Sequence, residues 1–529
     1  MSRRKNIPNN ALLVGAFFLL PIQLLSQGGG LELLPGADYI EGDNGRGFHR
    51  LIGNVSFKYQ SNTMYCDSAH FYDKQKVVLA YGHVHINKKD TLNLFCDSLY
   101  YSGQKRKAKL WGNVRMRDKE YRLTTDTLEY DAVSNQASYH HGGNVENSLT
   151  GERLTSRVGY FYPESKNVFF SHDVNYSGKG LNMNTDTLQY VYNKSTAYFH
   201  GATTIQMDGS NMYCESGWYN TETEEGSLQR NAWIARENEY IAGDTLIYHA
   251  QFGEYEGIGN VYYIDSVQQM EFRGDYAYHS DSLHYSVITG NALASKSNDT
   301  DTLFLHADTL YSYRDDSTEL FKAYRGAMLY SRHFQGKADS ITYCKDSNRI
   351  EFYTDPIFWT KGSELKGQFV EVILKEDSII HRVHVHDRAS ALMEVVKDTL
   401  YNQVGGNAIT AFFNDNDLYQ IDANGNAMTV LFPEDEEVND STVVKKRLGM
   451  NRLYSSDLRI YLDSNEVTGI TYLQEPDGVF YPMDRIKKDE QFIPGFEWLD
   501  ALRPRSVEEM MVGERIDPEK VVFEPEENE

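Results

Sequence analysis

One signature returns along this chain at a near-constant interval: an Asp, a Ser or Thr, an apolar residue, and often a Tyr one or two positions on. It reads Asp67-Ser68, Asp97-Ser98-Leu99-Tyr100, Asp126-Thr127-Leu128-Glu129-Tyr130, Asp186-Thr187-Leu188-Gln189-Tyr190, Asp244-Thr245-Leu246-Ile247-Tyr248, Asp308-Thr309-Leu310-Tyr311 and Asp339-Ser340-Ile341. Degenerate copies stand at Ser156, Glu215 and Asp275. The 272 residues from Asp67 to Asp339 hold nine steps of about 30 residues. A repeat of that length builds a stack in which each unit buries its apolar face on its neighbours. The size limit of a single core does not apply to such a stack, so 529 residues need not be divided into separate globules.

Halfway through each cycle comes Gly-Asn-Val or a relative: Gly53-Asn54-Val55, Gly82-His83-Val84, Gly112-Asn113-Val114, Gly143-Asn144-Val145 and Gly259-Asn260-Val261. Each cycle is thus two strands, parted by polar turn clusters such as Asp73-Lys74-Gln75-Lys76 and Ser102-Gly103-Gln104-Lys105. Around the glycine, Ala108, Leu110, Val114 and Met116 share one phase, with Lys107, Lys109, Arg115 and Arg117 in the other. The same phase recurs as Val78, Ala80, Val84 and Ile86, as Val168, Phe170 and Val174, and as Phe199 and Ile205; Val261 holds the equivalent place in its own cycle. Period two is the strand period, so these residues are the predicted lining of one apolar inner face. The mid-strand glycine predicts a sharp bend and a close approach of the opposite wall. At the Asp signature the phase slips, from odd Tyr121 and Leu123 to even Leu128 and Tyr130. That slip predicts a bulge or corner, with Asp and Ser/Thr side chains bonding freed backbone N–H groups, so the repeated Asp residues read as structural.

Composition narrows the function classes. Tyr (38) and Phe (25) are abundant and favour strands. A formal charge of −24 repels phosphate backbones and anionic head groups alike, which excludes nucleic acid and leaves apolar contact as the way to hold a lipid. Arg3, Arg4 and Lys5, then an apolar run from Ala11 to Leu25, then Ser26 and Gln27 read as a secretory signal over residues 1–27. That run is short for a membrane span, which needs ~20 residues. Four cysteines, Cys66, Cys96, Cys214 and Cys344, are too few to organise the fold; Cys66 and Cys96, one repeat apart, could form a bridge if adjacent. His381, His384, His386 and Asp387 form the best metal candidate, but two histidines flanking Val385 on an ordinary strand read more simply as a polar face, and no metal or cofactor is expected. No nucleophile elbow, phosphate loop or zinc-protease motif is present, and Asp residues that recur in nearly every rung serve the rung, so no enzyme is expected.

The whole cycle, Gly-Asn-Val between apolar alternations and then Asp-Thr-Leu-x-Tyr after a polar turn, resembles the OstA-like (organic solvent tolerance) family from about Leu51 to Ile373. That family comprises lipopolysaccharide-transport proteins of the LptA type and the N-terminal domain of the LptD type. The resemblance implies an all-β, elongated stack of antiparallel β-jelly-roll strands, two per cycle. It further implies a periplasmic carrier that shelters lipid A acyl chains in an apolar trough. The partners it implies are related jelly rolls joined by strand addition, an LptD-type assembly protein at the outer membrane, and an inner-membrane extractor complex. The stretches Asn402–Asn407, Gly425–Ala427 and Leu458–Leu462 look like further members of the array, with an acidic surface loop near 433–442. The expected organisation is therefore a signal at 1–27, the array at 28–390, further strands at 391–482, and a helical or disordered tail at 483–529 whose Phe496, Trp498 and Leu499 dock on the last strands. After Tyr481 there is no strand series from which to build an outer-membrane barrel. The alternative reading is a structural or adhesive envelope repeat protein with a solid core.

Overall fold

The computed structural model describes residues 32–512, apart from positions 44, 46, 60–61, 89–91, 163, 179, 208, 250–252, 298–300, 316–317, 361, 376–378, 415–416, 440–441 and 464–465. The targeting segment and the acidic end Glu524–Glu529 lie outside the described residues. The fold is all-β and antiparallel, with one short α-helix at Val507–Val512, and it divides into two units, Met1–Ile258 and Gly259–Glu529. No helix among the described residues is long and apolar enough to cross a membrane.

Every full strand of unit 1 bends at its middle, and the two signatures of the repeat make one corner. Strand Lys107–Arg117 pairs with Tyr121–Asp131 so that Trp111 lies opposite Thr127 but Val114 lies opposite Thr125. The extra residue therefore belongs to the Gly-Asn strand, not to the Asp strand. Gly112 and Asn113 both take left-handed conformations, at φ 79° and 47°. A Cβ on Gly112 would come within 2.5 Å of Asp97 Oδ2 on the preceding strand, so only glycine fits there. Asn113 Nδ2 then donates to Asp97 Oδ2 at 2.7 Å.

The same arrangement recurs sixteen residues apart, with Asn54 donating to Asp38, His83 bonded to Asp67 at 2.7 Å, and Asn231 donating to the degenerate Glu215 at 2.7 Å. The glycine is thus bent over an acidic side chain of its neighbour rather than opened to a facing wall. The Asp holds an Asn or His side chain rather than a freed backbone N–H. Both expectations are corrected, because a left-handed pair already turns the backbone and leaves the side chains to join the rungs.

Each corner divides its strand into two arms. The first holds the half before the Gly-Asn pair and the half after the Asp; the second holds the other halves. Inner residues of both arms pack together in one cluster of unit 1 running from Leu51 to Cys214. At one cycle the strand is interrupted into Gln136–Tyr139 and Gly143–Asn147, and the next into Arg153–Ser156 and Val158–Tyr162. Tyr139 turns inward there and its ring occupies the space a Cβ would need at Gly159, while its hydroxyl bonds Ser156 Oγ at 2.6 Å. Burial pushes that phenol up to about 12.

Unit 2 repeats the plan, with corners at Gly290-Asn291 over Asp275 and at Gly425-Asn426. The array does not change character at 390, since that position lies inside the strand Ile379–Val396. The acidic run is a strand rather than a loop: Glu434–Asn439 pairs with Thr442–Arg447 as a separate two-stranded sheet. Its register runs from Glu434 opposite Arg447 to Asn439 opposite Thr442. Glu434 and Arg447 form an ion pair at 3.0 Å.

The C-terminal segment doubles back over the outer face of the second arm of unit 2. Outer-face positions paired directly across the sheet form one row, Tyr330, Gln335, Trp359, Glu364, Leu392, Gln403, Val430 and Arg452. The segment follows that row in reverse. Arg452 donates to the Glu490 and Phe492 carbonyls, and Gln403 accepts from Ile493 N and donates to Gln491 O, each at 2.9 Å. Leu499 N donates to Glu364 at 2.9 Å, Arg503 to Gln335 at 2.7 Å, and Tyr330 to the Arg505 carbonyl at 3.0 Å. Phe496 and Trp498 pack on Tyr401. Pro494 and Pro504 keep most of the expected helical tail out of an α-helix, and between them stands a single 3-10 turn, Asp500–Leu502.

Candidate functional site

Thirteen of the fourteen predicted lining residues lie in unit 1, and all of them face inward. Val78, Ala80, Val84, Ala108, Leu110, Val114, Met116, Val168, Phe170, Val174, Phe199 and Ile205 belong to one cluster with exposures of 0–8%, and half-buried Ile86 packs against it. Val261 in unit 2 is also buried. Burial in unit 1 extends along the full length of the arms: in Tyr121–Asp131, Tyr121, Leu123, Thr125, Leu128 and Tyr130 are all buried. The inner face was expected to be a trough along these strands. From Phe48–Tyr59 to Thr196–Met207 it is instead a closed interior, filled by its own side chains. Large residues at paired positions of neighbouring strands, Leu110 beside Leu128 and Phe170 beside Leu188, are all buried in it. The interior loosens in the last strands of unit 1, where Met212, Tyr219 and Leu228 are only half-buried.

Unit 2 differs in how burial falls away from the corner. Next to the corner on the second arm stand Ala292, Ala307, Ala327 and Ala338, all buried. Two positions further out the inner row runs Phe272, Ala294, Leu305, Leu329 and Gly336, each directly paired to the next. Phe272, Ala294, Leu305 and Leu329 are half-buried although apolar and inward-facing. The first arm shows the same gradient, from buried Leu310, Ala323 and Ile341 out to half-buried Tyr343 and to Phe321, which is 42% exposed. Phe321 and Tyr343 stack with ring centroids 6.3 Å apart. In unit 2 burial is complete beside the corner and partial toward the strand ends, so apolar side chains on both inner faces keep some exposed surface. Such surface is what hydrocarbon seeks and what water disfavours.

The charged and titratable groups do not build a reactive centre. His384 Nδ1 bonds Thr410 Oγ1 at 2.6 Å, and burial holds its pKa below the usual histidine value. The His384 and His386 rings meet edge to face with centroids 4.0 Å apart, and His386 rests on Phe369. Among the described residues no three metal-ligating side chains come together.

All four cysteines are free. Cys66 and Cys96 stand on alternate strands with the strand Val77–Lys88 between them. Two strand spacings are ~9.6 Å, beyond the ~7 Å a bridge can span, so the conceivable Cys66–Cys96 pair does not form. Burial pushes both thiols up to about 12 and Cys214 to about 11.

The outer-face row under the C-terminal segment was missed in the sequence. Its signal is the run of apolar residues without alternation, Ile357-Phe358-Trp359 and Ala427-Met428-Thr429-Val430-Leu431-Phe432, which marks strands covered on both faces.

No curated protein matches the chain. Among solved structures, LptH of Pseudomonas aeruginosa, titled the LptA-homologous periplasmic component of the lipopolysaccharide transport device, matches at 14% identity. The match covers 26% of this chain and 82% of that one, with a TM-score of 0.15. The sequence pattern of the OstA-like protein family matches residues 37–186, the stretch that carries the Asp-Gly-Asn corners described above. Over residues 37–186 this chain is similar to the OstA-like proteins.

Proposed function

We propose that this protein carries lipopolysaccharide, sheltering the acyl chains of lipid A against the inner faces of unit 2 while the sugars stay in water. The observation that carries the reading is the inner row Phe272, Ala294, Leu305 and Leu329, apolar and inward-facing yet only half-buried. The OstA-like match over residues 37–186 supports the class of cargo. Burying one CH₂ is worth about 0.8 kcal/mol, so a 14-carbon chain left in water costs on the order of 10 kcal/mol, and a continuous apolar face removes most of that barrier. The chain performs no chemistry; direction comes from an energy-using extractor at the inner membrane. Arg3 to Gln27 route the protein to the periplasm as a secretion signal.

Partners join at the sheet ends. Tyr39–Asp43 pairs on one side with Phe48–Tyr59 and exposes Tyr39 and Ile40, while Asp477–Pro482 pairs with Gly449–Asp463 and exposes Val479 and Phe480. Open strands with exposed apolar side chains suit strand addition by related jelly rolls, including an LptD-type protein at the outer membrane.

Purified protein should bind fluorescent lipid A, and Leu329→Asp should weaken binding at least about tenfold, the effect of placing one unpaired charge against hydrocarbon. Undiminished binding by a folded Leu329→Asp variant would show that the cargo does not touch this face. The closed interior of unit 1 favours a second role for that part, a rigid structural stalk with no ligand of its own. If lipid A fails to bind at all, the structural reading extends to the whole chain.

A further inference from the structure

The strands of unit 1 have an outer face on each arm, and the two faces differ in chemistry. On the first arm, directly paired outward positions run Tyr100, Lys109, Glu129, Ser138, Tyr160 and Phe169, a mixture of aromatics with an ion pair between Lys109 and Glu129 at 2.7 Å. On the second arm they run Thr124, Asn144, Thr155, Asn175, Asn184 and Thr204, each directly paired to the next. Two positions further from the corner a second row runs Arg117, Arg122, Glu146, Arg153, Ser177 and Asn182. From Asn175 to Thr204 both rows are exposed, and among the described residues no segment lies over them.

The sheet does not call for these residues. Asn is disfavoured in strands, and Thr throughout would keep the face soluble without that cost. Arg117 and Arg122 stand directly opposite each other and repel, which works against strand pairing. In a chain of formal charge −24 the two rows carry three arginines and one carboxylate, Glu146. The carboxylates of the corner border the nearer row, where Asp97 and Asp186 already accept hydrogen bonds from Asn113 and Thr187.

A sugar hydroxyl both donates and accepts hydrogen bonds. An amide side chain does the same, whereas a carboxylate only accepts and an ammonium only donates. Arginine adds a planar fork that takes two oxygens of a phosphate or carboxylate. Strands lie ~4.8 Å apart, about the length of one pyranose residue, so a saccharide crossing the strands meets one polar rung per sugar. An extended peptide suits the face less well. Where unit 2 does hold such a segment, Ile493 packs with Leu392 and Val430, and the two rows of unit 1 offer no apolar residue of that kind.

We propose that the outer face of the second arm of unit 1 binds an anionic saccharide chain laid across the strands. Its hydroxyls meet Asn175, Asn182, Asn184 and Thr204, and an acidic group meets Arg117 and Arg122. The site is separate from the lipid surface of unit 2 and does not depend on it.

Isothermal titration calorimetry of the full chain tests this with three soluble chains of about six or more sugars, one per rung. The probes are the deacylated, phosphorylated carbohydrate of a lipopolysaccharide, polygalacturonate, and uncharged dextran. Binding of either acidic chain but not of dextran supports the proposal, the phosphorylated one pointing to lipopolysaccharide sugars and the carboxylated one to another envelope glycan. Arg117→Ala with Arg122→Ala should weaken that binding at least about tenfold, as should Asn182→Asp with Asn184→Asp. Lys107→Ala with Lys109→Ala takes the same charge from the first arm and should leave the affinity unchanged. All six positions are exposed, and urea unfolding checks that each variant is folded. Dextran binding as tightly as the acidic chains, no binding of any chain, or equal weakening by the lysine pair overturns the proposal. So does a photocrosslinker at Thr204 that yields protein adducts and no glycan adducts in cells. None of the probes carries an acyl chain, so this result and lipid A binding at unit 2 stand or fall separately.

Discussion

At the residue scale the protein depends on a contact repeated through the stack, an acidic side chain lying across a left-handed glycine. Gly112→Ala puts a Cβ into Asp97 and strains φ, so urea unfolding should show a loss of about 1–3 kcal/mol. Asp97→Ala in the same chain should restore the steric part, and a double variant no better than the single would argue against the contact. His83 gives a second handle, because its bond to Asp67 raises its pKa above the ordinary value of 6.5. The stabilisation from this pair is fully present below the unfolded value and fades as pH rises through the raised folded one. An NMR titration should show the His83 pKa fall on Asp67→Asn; an unmoved curve would contradict the bond. The thiols give a third: iodoacetamide should modify half-buried Cys344 first, leaving Cys66, Cys96 and Cys214 intact until the protein unfolds.

At the scale of elements, the bent strand was legible because two independent patterns agreed, period-two alternation around Gly112 and the phase slip at Asp126. Which partner the glycine approached was not legible, since the Asp it meets lies fifteen residues back on a neighbouring strand and no local pattern couples them. Thirteen of the fourteen candidate lining residues are buried and Ile86 is half-buried, but groove and core differ only in the distance between arms. The inner residues themselves differ in size between the units, Leu110 beside Leu128 in one and Ala292 beside Ala307 in the other, and no local pattern reports that distance. The docking of the C-terminal segment was hardest to read. Its aromatics were seen, but a single sequence does not tell that Gln403 and Glu364, ordinary outward positions by period, receive a returning segment. The acidic run was misread because charge density suggests solvent, while Arg447, which forms an ion pair with Glu434, stands on the next strand.

At the scale of the whole molecule, one repeat supports two different interiors: one whose inner side chains are fully buried, and one whose apolar inner side chains keep exposed surface toward the strand ends. Only the second can receive an acyl chain without rearrangement, which moves the candidate contact from Val114 and Phe170 to Leu305 and Leu329. The most direct test is a photocrosslinking amino acid placed in cells at Leu329, with Tyr313 on the outward face of the same unit and Val114 in the closed interior as references. Lipopolysaccharide adducts should form at Leu329 and be absent or scarce at the other two. Adducts with protein neighbours alone at Leu329, or equal lipid yields at Leu329 and Tyr313, would contradict a lipid path along the inner face.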